Sequence, residues 1–565
     1  MKHIHADFLP ILVAFAVLCS GCAEQNRAAD LIIHNGKIVT VDKDFSIAEA
    51  AAVKDGKFMQ VGTEDSVLES AGPGTMMVDL GGQTVLPGFN DTHSHMTTMG
   101  INLPTMIDLT EVTSIDDIKQ AVAERVAVTE KGEWIFSEGG WWQFMLEDGR
   151  LPNRHDLDEV SPDNPVTLKG GHYVIANSMA LERVGYDRDS ENPPGGEIWK
   201  DNKGEPTGFL VRNAMYPFLD HFQTPDREVQ LDGIRQAIRR VNSWGMTSLR
   251  EPGGSRELVD MLRELYEGGE LTVRIDWCYD VDANTPEDEM DAMFEALGDP
   301  EEKWGDGMFR TDGLAEMMLD GAEESAQIRT EYLGRPGYYG LRLIEQDQLN
   351  KFVLAAARHG WRPGPHAVGG ASIDQLLDAY EYVNEHIDIR DQRWIVDHGI
   401  LLQPDHYDRV KSLGLIVLPQ PRHLYIIGDK FIEHWGEELA HKSYRLRDWL
   451  DNGIKLSLGA DKPVSSRSKP IMQIYVAVTR GTGWGGVLGA DQGLTREEAI
   501  RGITLDSAYT SFEEDVKGSI EPGKYADFVV LSDDILTVPA EDIKDIEVEA
   551  TVLAGKVVYG SYPAN

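Results

Sequence analysis

The chain has 565 residues, more than a single hydrophobic core usually organises, so more than one domain is expected. Its formal net charge of -42 argues against nucleic-acid binding and against docking on anionic lipid through a charged patch. Acidity of this extent serves solubility and says little about a small-molecule ligand.

Residues 1–22 read as a targeting segment. Lys2 precedes an apolar run from Phe8 to Leu18 that is too short to span a bilayer comfortably. The small residues before Cys22 resemble a bacterial lipobox, with Cys19 where that pattern usually has leucine. Cleavage before Cys22 would leave a lipid-bearing N-terminal cysteine; the alternative is an ordinary cleaved signal and a free periplasmic product. Ala23 follows in place of the aspartate that retains lipoproteins at the inner membrane. The expectation is an exported protein, periplasmic or anchored at the outer membrane, with the lipid as its only membrane contact. Beyond this segment Cys278 is the one cysteine, so any metal must use histidine and carboxylate ligands.

Two β-rich stretches follow, Leu31 to Val39 and Ala51 to Met59, and Asn35-Gly36 and Asp55-Gly56 inside them read as hairpin turns. The C-terminal end repeats the style, from Asp527 to Leu531 and from Ala550 to Tyr559. Both ends therefore read as one small β-sandwich, 30–84 with 515–565, and the middle, 85–514, stands between them. Helical apolar spacing runs from Thr224 to Trp244 and from Gln348 to His359, each followed by glycine, and Thr495 with Glu498 forms a capping box. Eight strands are predicted: Val85–Asp91, Met246–Arg250, Val273–Tyr279, Leu314–Leu319, Arg362–His366, Arg393–Asp397, Leu415–Pro419 and Ile454–Gly459. Strands alternating with helices make an α/β protein, a (β/α)8 TIM barrel, with an open doubly wound sheet as the alternative. A long insertion after the first strand, 100–225, rich in Trp, Gly, Asn and Pro, reads as a subdomain that roofs the barrel mouth.

Metal-type residues recur where these strands end. His93 and His95 are two apart, which on an extended strand turns both imidazoles to one face. Glu316 stands inside the apolar run LAEMMLDG, where a buried carboxylate is costly unless paired or bound to a cation. His366, His398 and Asp461 close three further strands. Any one of them alone is explained as a satisfied core or rim residue; the recurrence at strand ends favours the barrel, because such barrels carry their active sites there.

The chain resembles the amidohydrolase superfamily, and within it the amidohydrolase-3 branch that includes N-substituted formamide deformylases. The resemblance rests on LPGFNDTHSH from Leu86 to His95, NSMAL from Asn177, GEPTG from Gly204, HAVG from His366, GADKPV from Gly459, KGSIEPGKYAD from Lys517 and TVLAGKVVY from Thr551. It implies that His93 and His95 bind the more buried metal, that His366 and His398 bind a second, and that Asp461 ligates the first and takes the proton of the attacking water. Where many relatives carry a carbamylated lysine that bridges two metals, this chain has Glu316, which presents a bidentate carboxylate on a shorter arm. Two zinc ions bridged by Glu316 are the expectation; manganese, iron or cobalt suit the same ligands, and a single-metal site stays open. Gly370 stands where relatives often have aspartate, with no role assigned.

The expected activity is hydrolysis of a C–N amide bond in a small N-acyl or N-formyl compound by metal-activated water. Cyclic amides or esters are alternatives on the same site, and a surface-anchored binding protein without catalysis is the alternative of another class. No Gly-x-Ser-x-Gly elbow is present, which argues against a serine nucleophile. His172 lies in a segment that resembles a substrate-side stretch of the family. Trp141, Trp142, His423, Tyr425 and Arg480 are candidates to line the pocket, with core packing an equal explanation for each. A small-molecule substrate is the expected partner, and a homodimer is open.

Overall fold

The computed structural model describes residues 28–563 except 138, 171, 172, 194, 195 and 464. The targeting segment, with Cys22, and the candidate His172 lie outside the described residues. The chain divides into two compact units, one of Met1–Asn90, Asn242–Ser248 and Arg496–Asn565, the other of Asp91–Val241 and Leu249–Thr495.

In the first unit, strand Phe528–Leu531 from the C-terminal end pairs antiparallel with Thr84–Pro87, which pairs parallel with Lys37–Val39. Both chain ends thus enter one six-stranded sheet. A second sheet of four strands runs Lys57–Gly62, Ala50–Lys54, Leu31–His34, Met76–Asp79. Alternation along each strand sends one set of side chains into a shared core, where Leu31, Ile33 and Phe58 of the second sheet meet Ile38, Val85 and Phe528 of the first. The turn at Asp55 (φ 51°) and Gly56 (φ 74°) joins two antiparallel strands as expected of that dipeptide. Asn35-Gly36 behaves differently. The strands on either side of it belong to different sheets, so the expected hairpin there is a crossover. A side chain at Gly36 would stand 2.4 Å from Leu80 Cδ1, so the chain can cross at that point only without one.

The barrel lies mostly, but not wholly, in the second unit. Its strands are Phe89–Asp91, Met246–Gly254, Arg274–Tyr279, Phe309–Leu314, His366–Ala367, Ile395–His398, Ile416–Leu418 and Lys455–Leu456. One sheet carries the first four in order and another the last four. Parallel bridges Leu314↔Pro363 and Met318↔His366 join the two sheets on one side, and Ser94↔Asp461 joins them on the other, so eight strands form a ring. Several predicted boundaries change: the expected strand 362–366 is observed as His366–Ala367, so His366 opens it rather than closing it, and the expected 454–459 is observed as Lys455–Leu456, which leaves Asp461 beyond it. The expected strand 85–91 is broken after Pro87, its first half going to the six-stranded sheet and Phe89–Asp91 to the ring. The expected strand 314–319 ends at Leu314, which leaves Glu316 just beyond a strand rather than within it.

The insertion folds around its own five-stranded sheet, ordered Gly196–Lys200, Pro206–Arg212, Tyr173–Ala176, Val166–Lys169, Ile135–Phe136. It touches the segments that follow three barrel strands. Arg212 pairs with Glu324 at 2.5 Å, Phe144 meets Tyr425 edge-on at 6.3 Å, and Glu111 accepts from the Ser466 backbone N–H at 2.9 Å. Among the described residues no helix is long and apolar enough to cross a membrane.

Phe528 is fully buried, with its ring 6.2 Å from that of Phe58 across the sandwich core. Replacing it by alanine leaves a cavity that the two sheets close only partly. Phe528→Ala should destabilise the sandwich unit by about 3–5 kcal/mol in chemical unfolding; a loss under about 1 kcal/mol would show that the sheets do not share this core.

Candidate metal centre and its surroundings

Five of the ring's strands bring the six candidates to one end. His93 and His95 follow the first strand, Glu316 the fourth, and Asp461 the eighth; His366 opens the fifth and His398 closes the sixth. The ligand atoms of His93, His95 and Asp461 all lie within 4.8 Å of one another, and so do those of His93, Glu316 and His398. Neither group includes His366, but its Nδ1 is 2.8 Å from Glu316 Oε1. His398 and Asp461 both sit in the left-handed region, at φ 64° each, a conformation that costs a residue with a side chain about 1–3 kcal/mol. The fold therefore holds strain at two of the positions that face the cluster.

Proton accounting shows what the cluster lacks. Asp397 accepts from His93 Nδ1 at 3.0 Å, so the His93 proton is on Nδ1 and the lone pair of Nε2 faces the cluster. That Nε2 is buried and has no hydrogen-bond partner. Gln420 is oriented by donating its Nε2–H to Leu418 O at 2.6 Å, so its Oε1 accepts from His398 Nδ1 at 2.7 Å. The lone pair of His398 Nε2 then points at Glu316 Oε1, 2.5 Å away. His366 Nε2 donates to Gly321 O at 3.4 Å, which turns the lone pair of Nδ1 on the same carboxylate oxygen. Lone pairs of three neutral imidazoles converging on a carboxylate repel it unless a cation lies among them. Nitrogen and oxygen donors without a thiolate suit zinc, manganese, iron or cobalt, so the residues fit a divalent metal.

In the protein alone, protons do that work. Burial opposes the charge on Glu316, but the charges of His93 and His398 and hydrogen bonds from His366 and His398 hold its carboxyl well below the usual range. Burial likewise opposes the charge on Asp461, and hydrogen bonds with His423 and His95 hold it well below the usual range. Against burial, hydrogen bonds to Asp461 and Glu316 raise His95 to about 10, and the charge of Glu316 raises His398 to about 9. Positive charge is thus drawn to the centre whatever carries it.

A layer of polar side chains that sequence reasoning missed fixes the ligand candidates. Arg250, fully buried, lies 3.5 Å from Asp397 and donates to Asp312 at 2.8 Å, so the carboxylate that orients His93 is itself paired. Glu251 accepts from the Thr97 and Thr98 backbone N–H groups at 2.9 and 3.3 Å and caps the turn just past His95. Asp91 accepts from the N–H groups of His93 (3.0 Å) and Ala460 (3.1 Å), which ties the first strand to the eighth. Asp397 stands beside His398 in sequence and Asp91 within the first motif, but nothing in their spacing marks them as supports.

The substrate-side candidates scatter. Trp141 is fully buried in the insertion core and donates its indole N–H to Lys169 O at 2.9 Å. Arg480 is fully buried, and its guanidinium donates to the carbonyls of Leu488, Tyr444 and Ser443 at 2.9, 2.8 and 2.7 Å, an arrangement that clips backbone together. Trp142 is half-buried and stacks on Phe144, whose edge meets Tyr425. His423 is at the centre itself, its Nε2 3.3 Å from Asp461 Oδ2, and burial drives its imidazole down to about 4. A further group, Asp374, Asp405 and His406, has ligand atoms within 4.8 Å of one another. There the Arg329 guanidinium already supplies the cation, pairing with Asp374 at 2.5 Å and with Asp405 at 2.7 Å, so that group is an ion-pair network.

Comparison with known proteins places this geometry. A model of the amidohydrolase family matches residues 76–559. Protein LONG AFTER FAR-RED 3 of Arabidopsis thaliana is 31% identical over 579 aligned positions, covering 98% of this chain and 96% of its own. N-substituted formamide deformylase of Arthrobacter pascens is 27% identical over 95% of this chain and 99% of its own. Among solved structures, an uncharacterized metal-dependent hydrolase from Pyrococcus furiosus superposes with a TM-score of 0.68 over 90% of this chain and 100% of its own, at 24% identity, a likeness of fold. The ring of strands and the histidine-carboxylate centre agree with the family match, and the chain belongs to the amidohydrolase family, in its amidohydrolase-3 branch.

Proposed function

We propose that this protein is a metal-dependent hydrolase that cleaves the C–N bond of a small N-acyl or N-formyl compound. The observation that carries the reading is the convergence of His93, His366 and His398 lone pairs on Glu316, with Asp461 at the edge of the same cluster. His93, His95 and Asp461 would hold one divalent ion, and Glu316, His366 and His398 a second, with Glu316 between the two sets. Such an ion supplies Lewis acidity, which acidifies water and polarises a carbonyl.

The remaining work falls to the chain. Asp461 is ionised and faces His95 through Oδ1, at 3.3 Å. A carboxylate in that position takes the proton of the attacking water and returns it to the leaving nitrogen, which an amine needs in order to depart. Glu316 neutralises the positive charge that the imidazoles cannot. Buried Asp397 and Gln420 keep His93 and His398 in the tautomers that turn Nε2 inward, so the donors need not reorganise during turnover. Similarity to a relative named for formamide deformylation supports the choice of amide substrates.

Hydrolysis of N-formyl, N-acetyl and longer N-acyl amines, lactams and esters by metal-replete protein tests the substrate class. Turnover is expected to be greatest on an N-formyl or N-acyl amine; turnover confined to esters would reassign the leaving group. Asp461→Asn should keep metal in the protein and lower kcat by about 100-fold or more, as expected for loss of a positioned proton carrier. Wild-type turnover in that variant would remove Asp461 from proton transfer. Glu316→Gln should lower the metal content of purified protein, and unchanged stoichiometry would rule out bridging by this carboxylate.

A further inference from the structure

Asp461 has two oxygens with different tasks. Oδ1 faces His95 Nε2 at 3.3 Å, and Oδ2 faces His423 Nε2 at 3.3 Å. His423 Nδ1 in turn lies 3.0 Å from the Tyr444 hydroxyl, which is 3.3 Å from Gln420 Oε1. All three of His423, Tyr444 and Gln420 are buried, so water cannot reset these contacts.

The phenol has one proton and two neighbours able to accept it. If it donates to Gln420, a neutral His423 must keep its proton on Nδ1, and the lone pair of Nε2 then faces a carboxylate oxygen. Two acceptors opposed at that distance repel. If the phenol donates to His423 Nδ1, the imidazole proton moves to Nε2 and donates to the carboxylate oxygen Asp461 Oδ2; the opposed pair is then the Tyr444 oxygen and the neutral Gln420 Oε1 at 3.3 Å, a smaller repulsion than a lone pair against a carboxylate. Gln420 Oε1 already accepts from His398 Nδ1 and does not need the phenol. The sequence of donors therefore runs from Tyr444 to His423 to Asp461.

We infer that Tyr444 and His423 form a positioning pair for Asp461: the hydroxyl fixes the His423 tautomer, and His423 Nε2–H fixes Oδ2 so that Oδ1 is presented to the ligand cluster. The inference rests on the metal-centre reading above and on no particular substrate. It gives His423, a candidate for substrate contact by sequence, a task that needs no substrate. Tyr444 lies in no motif, and the Arg480 clip on the Ser443 and Tyr444 carbonyls explains how its backbone is held.

Cobalt(II) titration of metal-free protein, followed by visible absorption and by equilibrium dissociation constant, tests it without turnover. Tyr444→Phe keeps the ring and removes the proton donor; affinity for cobalt should fall about 10-fold, with a changed absorption spectrum. His423→Ala should lose at least as much. His423→Gln retains an amide N–H where Nε2 stood and should bind within about threefold of wild type. Adding Tyr444→Phe to His423→Gln should then cost little more, because an amide needs no hydroxyl to choose its donor. Wild-type affinity and spectrum in Tyr444→Phe and His423→Ala would overturn the positioning role, as would an equally large Tyr444→Phe loss in the His423→Gln background, which would mark mere packing. Should Tyr444→Phe fail to fold, the contrast between His423→Ala and His423→Gln decides alone. Absence of cobalt uptake by the wild type would sink the metal centre itself, and absence of amide hydrolysis would leave this experiment intact.

Discussion

The centre depends on a repulsion that the protein has built and that a cation removes. Hydrogen bonds behind the imidazoles of His93, His366 and His398 take one ring proton each and leave lone pairs aimed at the carboxylate of Glu316. Without a cation, the neighbouring carboxylates raise His95 and His398 to about 10 and about 9 against the burial that disfavours their charge. A divalent ion answers all of the lone pairs and the carboxylate at once, which makes the cluster selective for positive charge before any ligand is considered.

The fold supplies the arrangement through distance and rigidity. A ring of strands brings residues from positions 93 to 461 to one rim. Behind that rim stand buried groups that are themselves paired. Asp397 orients His93 and is neighboured by Arg250, which is shared with Asp312. A buried pair of this kind contributes little net stability, since desolvation offsets attraction, but removing one partner leaves a charge uncompensated. Its value lies in fixing a ring tautomer. The same division holds on the other side, where Gln420 orients His398 and Tyr444 with His423 orients Asp461.

Much of this was legible in the sequence, and the parts that were not share a physical reason. Strand-end histidines and carboxylates in apolar runs are visible because a polar residue there is costly without a purpose, and His93, His95, Glu316, His398 and Asp461 are drawn together in the structure with His366 beside them. Asn35-Gly36 misled because the dipeptide specifies a tight reversal of backbone but not which sheet receives the next strand. The supporting residues were invisible for a different reason. Asp397 and His93 are 304 positions apart, and Gln420 and Tyr444 are separated by the helices Arg422–Trp435 and Glu437–Ala440, so their meeting is set by packing rather than by spacing. Large aromatic and cationic side chains such as Trp141 and Arg480 serve interiors and pockets equally well, and their burial with backbone carbonyls as partners is a property of packing that composition does not carry.

Anomalous diffraction from crystals of the purified protein, collected on both sides of the absorption edge of the metal it contains, bears most directly on the central claim. The account predicts anomalous density within coordination distance of His93 Nε2 and Glu316, bounded by His95, His398 and Asp461. Crystals soaked in zinc or cobalt that show no such density there, with the imidazoles unmoved, would contradict it.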